Sequence, residues 1–385
     1  MNRRVVLYFG HVPLEGAGSA IIVLRHLRRF AADGWGVRIV ADWGQDHSVC
    51  RDAGWPTFEL SHRQPWWPPF NANLPVSRRF RAWLWAGETR AWLRGSKVDG
   101  VLTYLSAFSD TLSIAAVGYA RRYGLPLVTL VHDDVRCFAA TGAEAERAHR
   151  RREWIVRHST KAWFASPELA ACYRLPAGMA GVLPPIPEGS SAAADPSVWA
   201  IGQEGMGPLL VYAGNYWPPQ LPTFAHIAAA ARQGGGRFLA VLKENVEHVS
   251  YLRAHGVDWL PPWRLNTEAL NYYRTHAAAL VVSYGPTSAE MPWTRTSFPS
   301  KLIEYCHLGL PIVIVSAQDT AVARWARARN FPDVFAPDDA GGLAAYVSRL
   351  HDPGFRRERS ALALTFARAE FDPIGIHNRL EASLA

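Results

Sequence analysis

Cysteine is scarce in this chain. Cys50, Cys137, Cys172 and Cys306 are the only four in 385 residues, they lie far apart, and none forms a CxxC pair. That argues against a zinc site or a disulfide framework and fits a reducing cytosol. Long apolar runs are also missing, so no segment is expected to span a membrane. The apolar stretch Val5 to Phe9, after Asn2-Arg3-Arg4, is too short for the core of a signal peptide. A soluble or peripheral cytoplasmic protein is the expectation. Acidic residues are thin in one half only. Residues 1–185 carry a net charge of +9, and residues 186–385 carry −1. The first half also holds ten of the sixteen tryptophans. An anionic partner or a membrane surface suits that half, whereas no nucleic-acid recognition motif accompanies the basic residues.

The length exceeds what one core usually serves, so two domains are expected. Val5 to Phe9 reads as a strand, Gly10 to Gly18 as a loop, Ser19 to Ala32 as a helix and Val37 to Val40 as the next strand. This β–loop–α–β unit opens a doubly wound sheet. Gly100 to Tyr104 and Leu127 to Val131 continue it, and Lys161 to Ala165 reads as its last strand. Residues 184–207, rich in Pro, Ser, Gly and Ala, read as a linker. A second alternating series follows, with strands at Leu209 to Ala213, Arg237 to Leu242, Leu280 to Ser283 and Ile312 to Val315. The helices between them are Phe224 to Arg232, Thr267 to Thr275 and Ser300 to Leu308. The expected division is a first domain over 1–183, a linker over 184–207, a second domain over 208–354 and a helical tail over 355–385. In open α/β sheets ligands bind at strand C-termini, so the cleft between two such domains is the expected site.

The most informative segment runs Ser297-Phe298-Pro299-Ser300-Lys301-Leu302-Ile303-Glu304-Tyr305, followed by Gly309-Leu310-Pro311 and a β-branched run. Pro299 suits the first turn of a helix, Ser300 can cap it, and Gly309 ends it. Unpaired N–H groups at a helix start attract anions. Lys301 adds positive charge for phosphate, and Glu304, on the same face, can accept hydrogen bonds from two vicinal hydroxyls. The pattern suits a nucleoside diphosphate. A plain surface helix with an i,i+3 ion pair fits the same residues.

This segment resembles the signature of the GT-B fold glycosyltransferases of the family-four-like group (glycosyl transferases group 1). The resemblance implies two tandem Rossmann-like doubly wound domains facing across a cleft, with the terminal helix crossing back to the first domain. It also implies a helix N-terminus that holds the donor diphosphate and a glutamate, Glu304, that holds the ribose. Gly16 and Gly18, between the first strand and helix, match the family's glycine-rich first loop; an ordinary βα turn is the alternative. His132 and Asp133 follow the Leu127 strand, where a His-Asp of the family faces the donor sugar. Both are therefore candidate catalytic residues. Asp133, Asp134 or Glu15 can serve as base in an inverting enzyme, although the two aspartates could instead cap the next segment. Lys243, after its strand, and Arg295, before the signature, are candidates for the phosphates; Lys243 also suits an exposed loop. The sequence departs from the family at Thr296, where many members have a glutamate, and at Asn215 and Gln220, where they have Arg and Lys. No D-x-D occurs, so a metal-free diphosphate and no cofactor are expected.

The reading is a metal-independent glycosyltransferase. It would move a sugar from a UDP- or GDP-linked donor to a cell-surface glycan or lipid-linked acceptor, in polysaccharide biosynthesis at the inner face of a membrane. A nucleotide-sugar epimerase of the same architecture and a non-catalytic nucleotide-sugar-binding relative are the alternatives. Trp66, Trp67 and Phe70, with Arg78, Arg79 and Arg81, could form a contact with anionic lipid. The same tryptophans could equally pack as core.

Overall fold

A computed structural model describes residues 3–15, 18–42, 45–60, 75–105, 110–139, 141–188 and 207–384, without the side chains of 42, 75–79 and 81. The chain divides into two compact units, Met1–Ile186 with Ile374–Ala385, and Pro187–Pro373.

Unit 1 runs β1 (Val5–Phe9), α1 (Gly18–Ala32), β2 (Gly36–Asp42), α2 (Ser48–Asp52), β3 (Thr57–Leu60), α3 (Pro75–Leu93), β4 (Gly100–Leu105), α4 (Thr111–Tyr123), β5 (Leu127–Val131), α5 (Gly142–Arg157), β6 (Lys161–Phe164), α6 (Pro167–Ala171) and β7 (Ala180–Val182). Its strands form one sheet in the order β3-β2-β1-β4-β5-β6-β7, parallel throughout. Both faces are covered, which is why β4 and β5 are buried at every position and read as apolar runs interrupted by one threonine each, Thr103 and Thr129. One core holds Leu7, Phe9, Val101 and Leu105; the other holds Val6, Tyr8, Leu102 and Leu130. Neighbouring residues of β1 and β4 thus point to opposite cores.

Unit 2 runs β8 (Leu209–Ala213), α7 (Leu221–Gln233), β9 (Arg237–Val241), α8 (Val246–Ala254), β10 (Asp258–Leu260), α9 (Asn266–His276), β11 (Ala279–Ser283), α10 (Ser300–Leu308), β12 (Ile312–Val315), α11 (Ala321–Ala328), β13 (Val334–Phe335), α12 (Ala340–Arg349) and α13 (Pro353–Ala369). Its six strands order as β10-β9-β8-β11-β12-β13, again parallel. The last helix, α14 (Pro373–Glu381), belongs to unit 1 from Ile374 onward.

Three expectations are corrected. Lys161 to Phe164 is not the last strand of its sheet, because the short β7 pairs with it; three residues are too few to show a period. The segment from 184 does not begin as linker. Ile186 is 1% exposed in the unit 1 core, and its carbonyl accepts a hydrogen bond from Arg25 Nη1 at 3.0 Å. Residues 189–206 lie outside the described residues. The tail does not cross back from 355. Phe355, Ala363, Ala367 and Phe371 pack in the unit 2 cores, and the division falls at Pro373. Beyond it Ile376, Leu380 and Leu384 enter the unit 1 core beside Val6 and Tyr8.

Candidate functional site

In unit 2 the helix after β8 leads to β9 on one side, and the helix after β11 leads to β12 on the other. β8 and β11 are neighbours, so the winding reverses between them, and a crevice opens at their C-terminal ends. α10 begins at this end. Its N-cap is Pro299, with an extended ψ of 114° and no side-chain cap hydrogen bond. Ser300 is therefore the first helical residue and not the cap, and its side chain is half-buried. A proline side chain has no oxygen to offer the first N–H groups, so this end keeps anion-binding capacity.

Lys301 folds back over the end of β8. Its ammonium lies 4.5 Å from the centre of the Tyr212 ring and fills the space that a Cβ on Gly214 would take. Gly214 has φ 118°, which a residue with a side chain rarely adopts. Conformation and close approach both require glycine here. Lys301 is half-buried. Burial therefore pushes its pKa down to about 7, against the opposing pull of Glu304. Among the described residues Lys301 has no hydrogen-bond or ion-pair partner. Glu304, one turn on and half-buried, lies beside Tyr273 of α9. Burial first, and the Glu304 charge second, push the Tyr273 hydroxyl pKa up. The structure thus brings Ser300, Lys301 and Glu304 together at the crevice.

Lys243 leaves the same edge of the sheet. It stands two residues beyond Val241, whose carbonyl accepts from the Gly214 N–H at 3.0 Å, and it is exposed. Arg295 is not brought to Lys301. It ends the short turn helix Pro292–Arg295 and donates to Ser288 Oγ at 2.9 Å and Asp319 Oδ2 at 3.1 Å. Ser288 first, then Arg295, hold the Asp319 carboxyl below its usual range. Gln220 is a buried stitch. Its side chain accepts from the Trp217 N–H at 2.8 Å and donates to the Ser283 carbonyl at 2.7 Å. It fixes the entry to α7 against the end of β11 and leaves no amide group for a ligand. The Asn215 carbonyl is engaged by the Tyr212 hydroxyl at 2.7 Å. Sequence reasoning missed Gly214, Tyr212 and Tyr273. A glycine directly after a fully buried strand was the available signal for the first.

In unit 1, His132 directly follows β5. It is 8% exposed and sits edge-on to Tyr104 of β4 at 5.0 Å. Burial lowers its pKa to about 4, so the imidazole is neutral near pH 7. Asp133 is half-buried, and its charge reaches Tyr104, whose hydroxyl is pushed up chiefly by burial. Asp134 takes a structural role. It caps the turn helix Val135–Phe138 and holds Arg136 through two side-chain nitrogens, with Nη2 at 2.7 Å. Burial opposes ionisation of Asp134, but the Arg136 hydrogen bonds outweigh it and leave its pKa below the usual range. Glu15 is exposed and paired with Arg28 at 2.6 Å. Behind this edge Arg152, fully buried, joins Asp110 at 3.0 Å and donates to the Asp133 carbonyl at 3.1 Å. Gly18 starts α1, and a Cβ there would meet nothing within 4 Å, so glycine is not sterically required. Gly16 lies outside the described residues.

The aromatic and basic stretch divides. Trp66, Trp67 and Phe70 lie outside the described residues. Arg78, Arg79 and Arg81 stand on α3, with side chains outside them too. Trp92 stacks on Phe58 with ring centres 5.4 Å apart and Trp85 packs on the core, whereas Phe80 and Trp83 are exposed. No helix among the described residues is long and apolar enough to cross a membrane.

No family model matches the sequence, and no curated protein matches it significantly. Solved structures do match along the whole chain. A glycosyltransferase from Rickettsia africae superposes with a TM-score of 0.67 at 12% identity, over 100% of this chain and 98% of that one. The sucrose-phosphate synthase of Thermosynechococcus elongatus gives 0.64 at 16% identity, over 99% and 98%. HepE of Anabaena, solved with UDP and glucose, gives 0.63 at 11% identity, over 99% of each chain. Two parallel doubly wound sheets in tandem, with the last helix returned to the first, make this the fold of the GT-B glycosyltransferases.

Proposed function

We propose that this protein is a glycosyltransferase that takes a sugar from a nucleoside-diphosphate donor, UDP-linked in the first instance, and passes it to a glycan or lipid-linked acceptor. The observation that carries the reading is Lys301, a half-buried cation without a hydrogen-bond or ion-pair partner among the described residues, at a helix N-terminus on a switch point. HepE, similar over the whole chain, was solved with UDP-glucose. In the reaction the bond from the anomeric carbon to the diphosphate oxygen breaks, and a bond from that carbon to an acceptor hydroxyl oxygen forms. The hydroxyl proton passes to a base. The first N–H groups of α10 and the Lys301 ammonium would stabilise the negative charge arriving on the departing diphosphate. Glu304 would accept the two ribose hydroxyls, and Lys243 supports the same phosphates. We assign the catalytic role to His132 and Asp133, because Asp134 and Glu15 are committed to arginines.

Calorimetric titration tests the site. Lys301→Ala should weaken UDP by about 1.5–3 kcal/mol, the range for hydrogen bonds to charged groups, and uridine much less. Equal losses for both would make Lys301 structural. Turnover should survive EDTA, because Lys301 and α10 supply the positive charge. A second reading, a relative that binds donor without transfer, draws on Arg295 being tied to Asp319 and on Gln220 being sealed in the core. Donor binding with no transfer across a broad acceptor panel would favour it.

The surface of α3 supports a peripheral membrane position on the cytoplasmic side. Phe80 and Trp83 are 46% and 57% exposed. Arg122 lies 5.6 Å over the Trp83 ring, beside a hollow of about 390 Å³ lined also by Arg121 and Trp154. Tryptophan favours the headgroup region, and basic residues are drawn to anionic lipid. The protein should sediment with phosphatidylglycerol vesicles at low salt, and Phe80→Ala/Trp83→Ala should reduce the bound fraction. Wild-type protein left in the supernatant would refute the contact.

A further inference from the structure

We propose that Asp33, His377 and Glu381 form a binding site for one divalent transition-metal ion, of the zinc type, which staples α14 to the end of α1. Asp33 follows α1, where its N–H closes the last turn on the Arg29 carbonyl at 2.8 Å. His377 and Glu381 stand four apart on α14, so both face the same way. One ligand atom from each of the three residues lies within 4.8 Å of the other two. His377 Nε2 and Asp33 Oδ2 are 3.4 Å apart. That is about the ligand-to-ligand edge of a tetrahedron with metal bonds near 2.1 Å.

The surroundings are those of a cation site. His377 is 1% exposed, and its Nε2 has no hydrogen-bond partner among the described residues. Its Nδ1 lies 3.2 Å from Nδ1 of His26, also buried. When His377 donates its Nδ1–H to His26, its Nε2 presents a lone pair toward two carboxylates. A positive ion completes that polarity. Hydrogen bonding of the second ring nitrogen is also how metal-bound histidines are normally oriented. The carboxylate is held in the same manner. Trp35 Nε1 at 2.8 Å and Arg4 Nη2 at 3.0 Å both bond Glu381 through Oε1, which leaves Oε2 for the ion. Phe30 walls the site, edge-on to His377 at 4.5 Å. Arg4 and Arg29 are the cations that oppose the ion. One imidazole and two carboxylates favour zinc over magnesium or calcium, which prefer oxygen alone. A fourth position remains for water. The proposal does not rest on the transferase reading, because the ion holds no substrate.

The test uses the full chain, stripped with EDTA and dialysed. Zinc should raise the melting temperature and bind with one-to-one stoichiometry, and magnesium at the same concentration should do neither. Cobalt should give the visible absorption of a four-coordinate site. Asp33→Asn, a half-exposed position where folding is safe, should weaken zinc at least about 10-fold, and His377→Gln by more. Wild-type protein with no zinc-dependent melting shift and no cobalt band would overturn the proposal. So would zinc binding unchanged in a folded Asp33→Asn variant, which would place the metal on other histidines. Equal stabilisation by magnesium would overturn the assigned ion class.

Discussion

The two units repeat one winding order and treat charge at the strand ends in opposite ways. At the edge of unit 1, Asp134 is clasped by Arg136, and Asp110 is shared by Arg151 and the buried Arg152. At the crevice of unit 2, Lys301 is half-buried with no carboxylate in ion-pair contact with its ammonium among the described residues, and its pKa is depressed. A buried charge that finds its counter-ion inside the protein holds structure together. One left without it costs free energy until an outside ion arrives. The same fold thus supplies a braced edge in one unit and a poised one in the other, and polarity alone would not tell them apart.

The comparison breaks most visibly at Asp110. Asp110→Ala strands the fully buried Arg152, and removing one partner of such a pair costs about 3–5 kcal/mol. Urea unfolding should register that loss. A loss under 1 kcal/mol would mean that the unit 1 edge is not braced as described. Next comes Glu304→Ala, which should weaken the donor by about 1.5–3 kcal/mol with urea unfolding unchanged. Unaltered donor affinity in a folded variant would return Glu304 to the face of an ordinary helix.

The most diagnostic effect concerns pH. Lys301 has a folded pKa of about 7 against 10.5 for an exposed lysine. Between those values the unfolded chain binds more protons, so this group makes stability rise with pH through the window. Its penalty is full below about pH 7 and gone above about 10.5. Lys301→Met should remove that slope and raise the melting temperature of the ligand-free protein most at the acid end. A bound diphosphate favours the charged form. UDP-glucose binding above pH 7 should therefore take up a proton, weakening by up to tenfold per pH unit. Titration in buffers of different ionisation enthalpy measures the uptake. Zero uptake at pH 8 would put the ammonium away from the phosphates.

Much of this was legible beforehand. Val5–Phe9, Leu127–Val131 and Ile312–Val315 stand where their apolar runs place them, because these strands, buried on both faces, begin and end on apolar residues. The α10 helix was bounded correctly by Pro299 and Gly309, the latter at φ 65°. The short strands β3, β7, β10 and β13 were not read, since two to four residues show no period. The site was half visible. Ser300, Lys301 and Glu304 are local in sequence, so their meeting follows from helix geometry. Asp319, which ties down Arg295, and Ser283, which ties down Gln220, lie 24 and 63 residues away, and no short-range pattern encodes these contacts. Neither does one announce His26 against His377.

The return of α14 has a consequence for the order in which the protein is made. Unit 1 is interrupted: its first 186 residues emerge from the ribosome well before Ile376, Leu380 and Leu384, which fill its core. At roughly 5–20 residues per second, the wait while unit 2 is synthesised is on the order of 10–40 s. During that time Val6, Tyr8, Leu27 and Phe30 lack their cover, and the nascent chain carries an apolar groove open to chaperones. Unit 2, continuous from Pro187 to Pro373, has its whole core in hand first. The N-terminal unit is therefore the later of the two to finish folding.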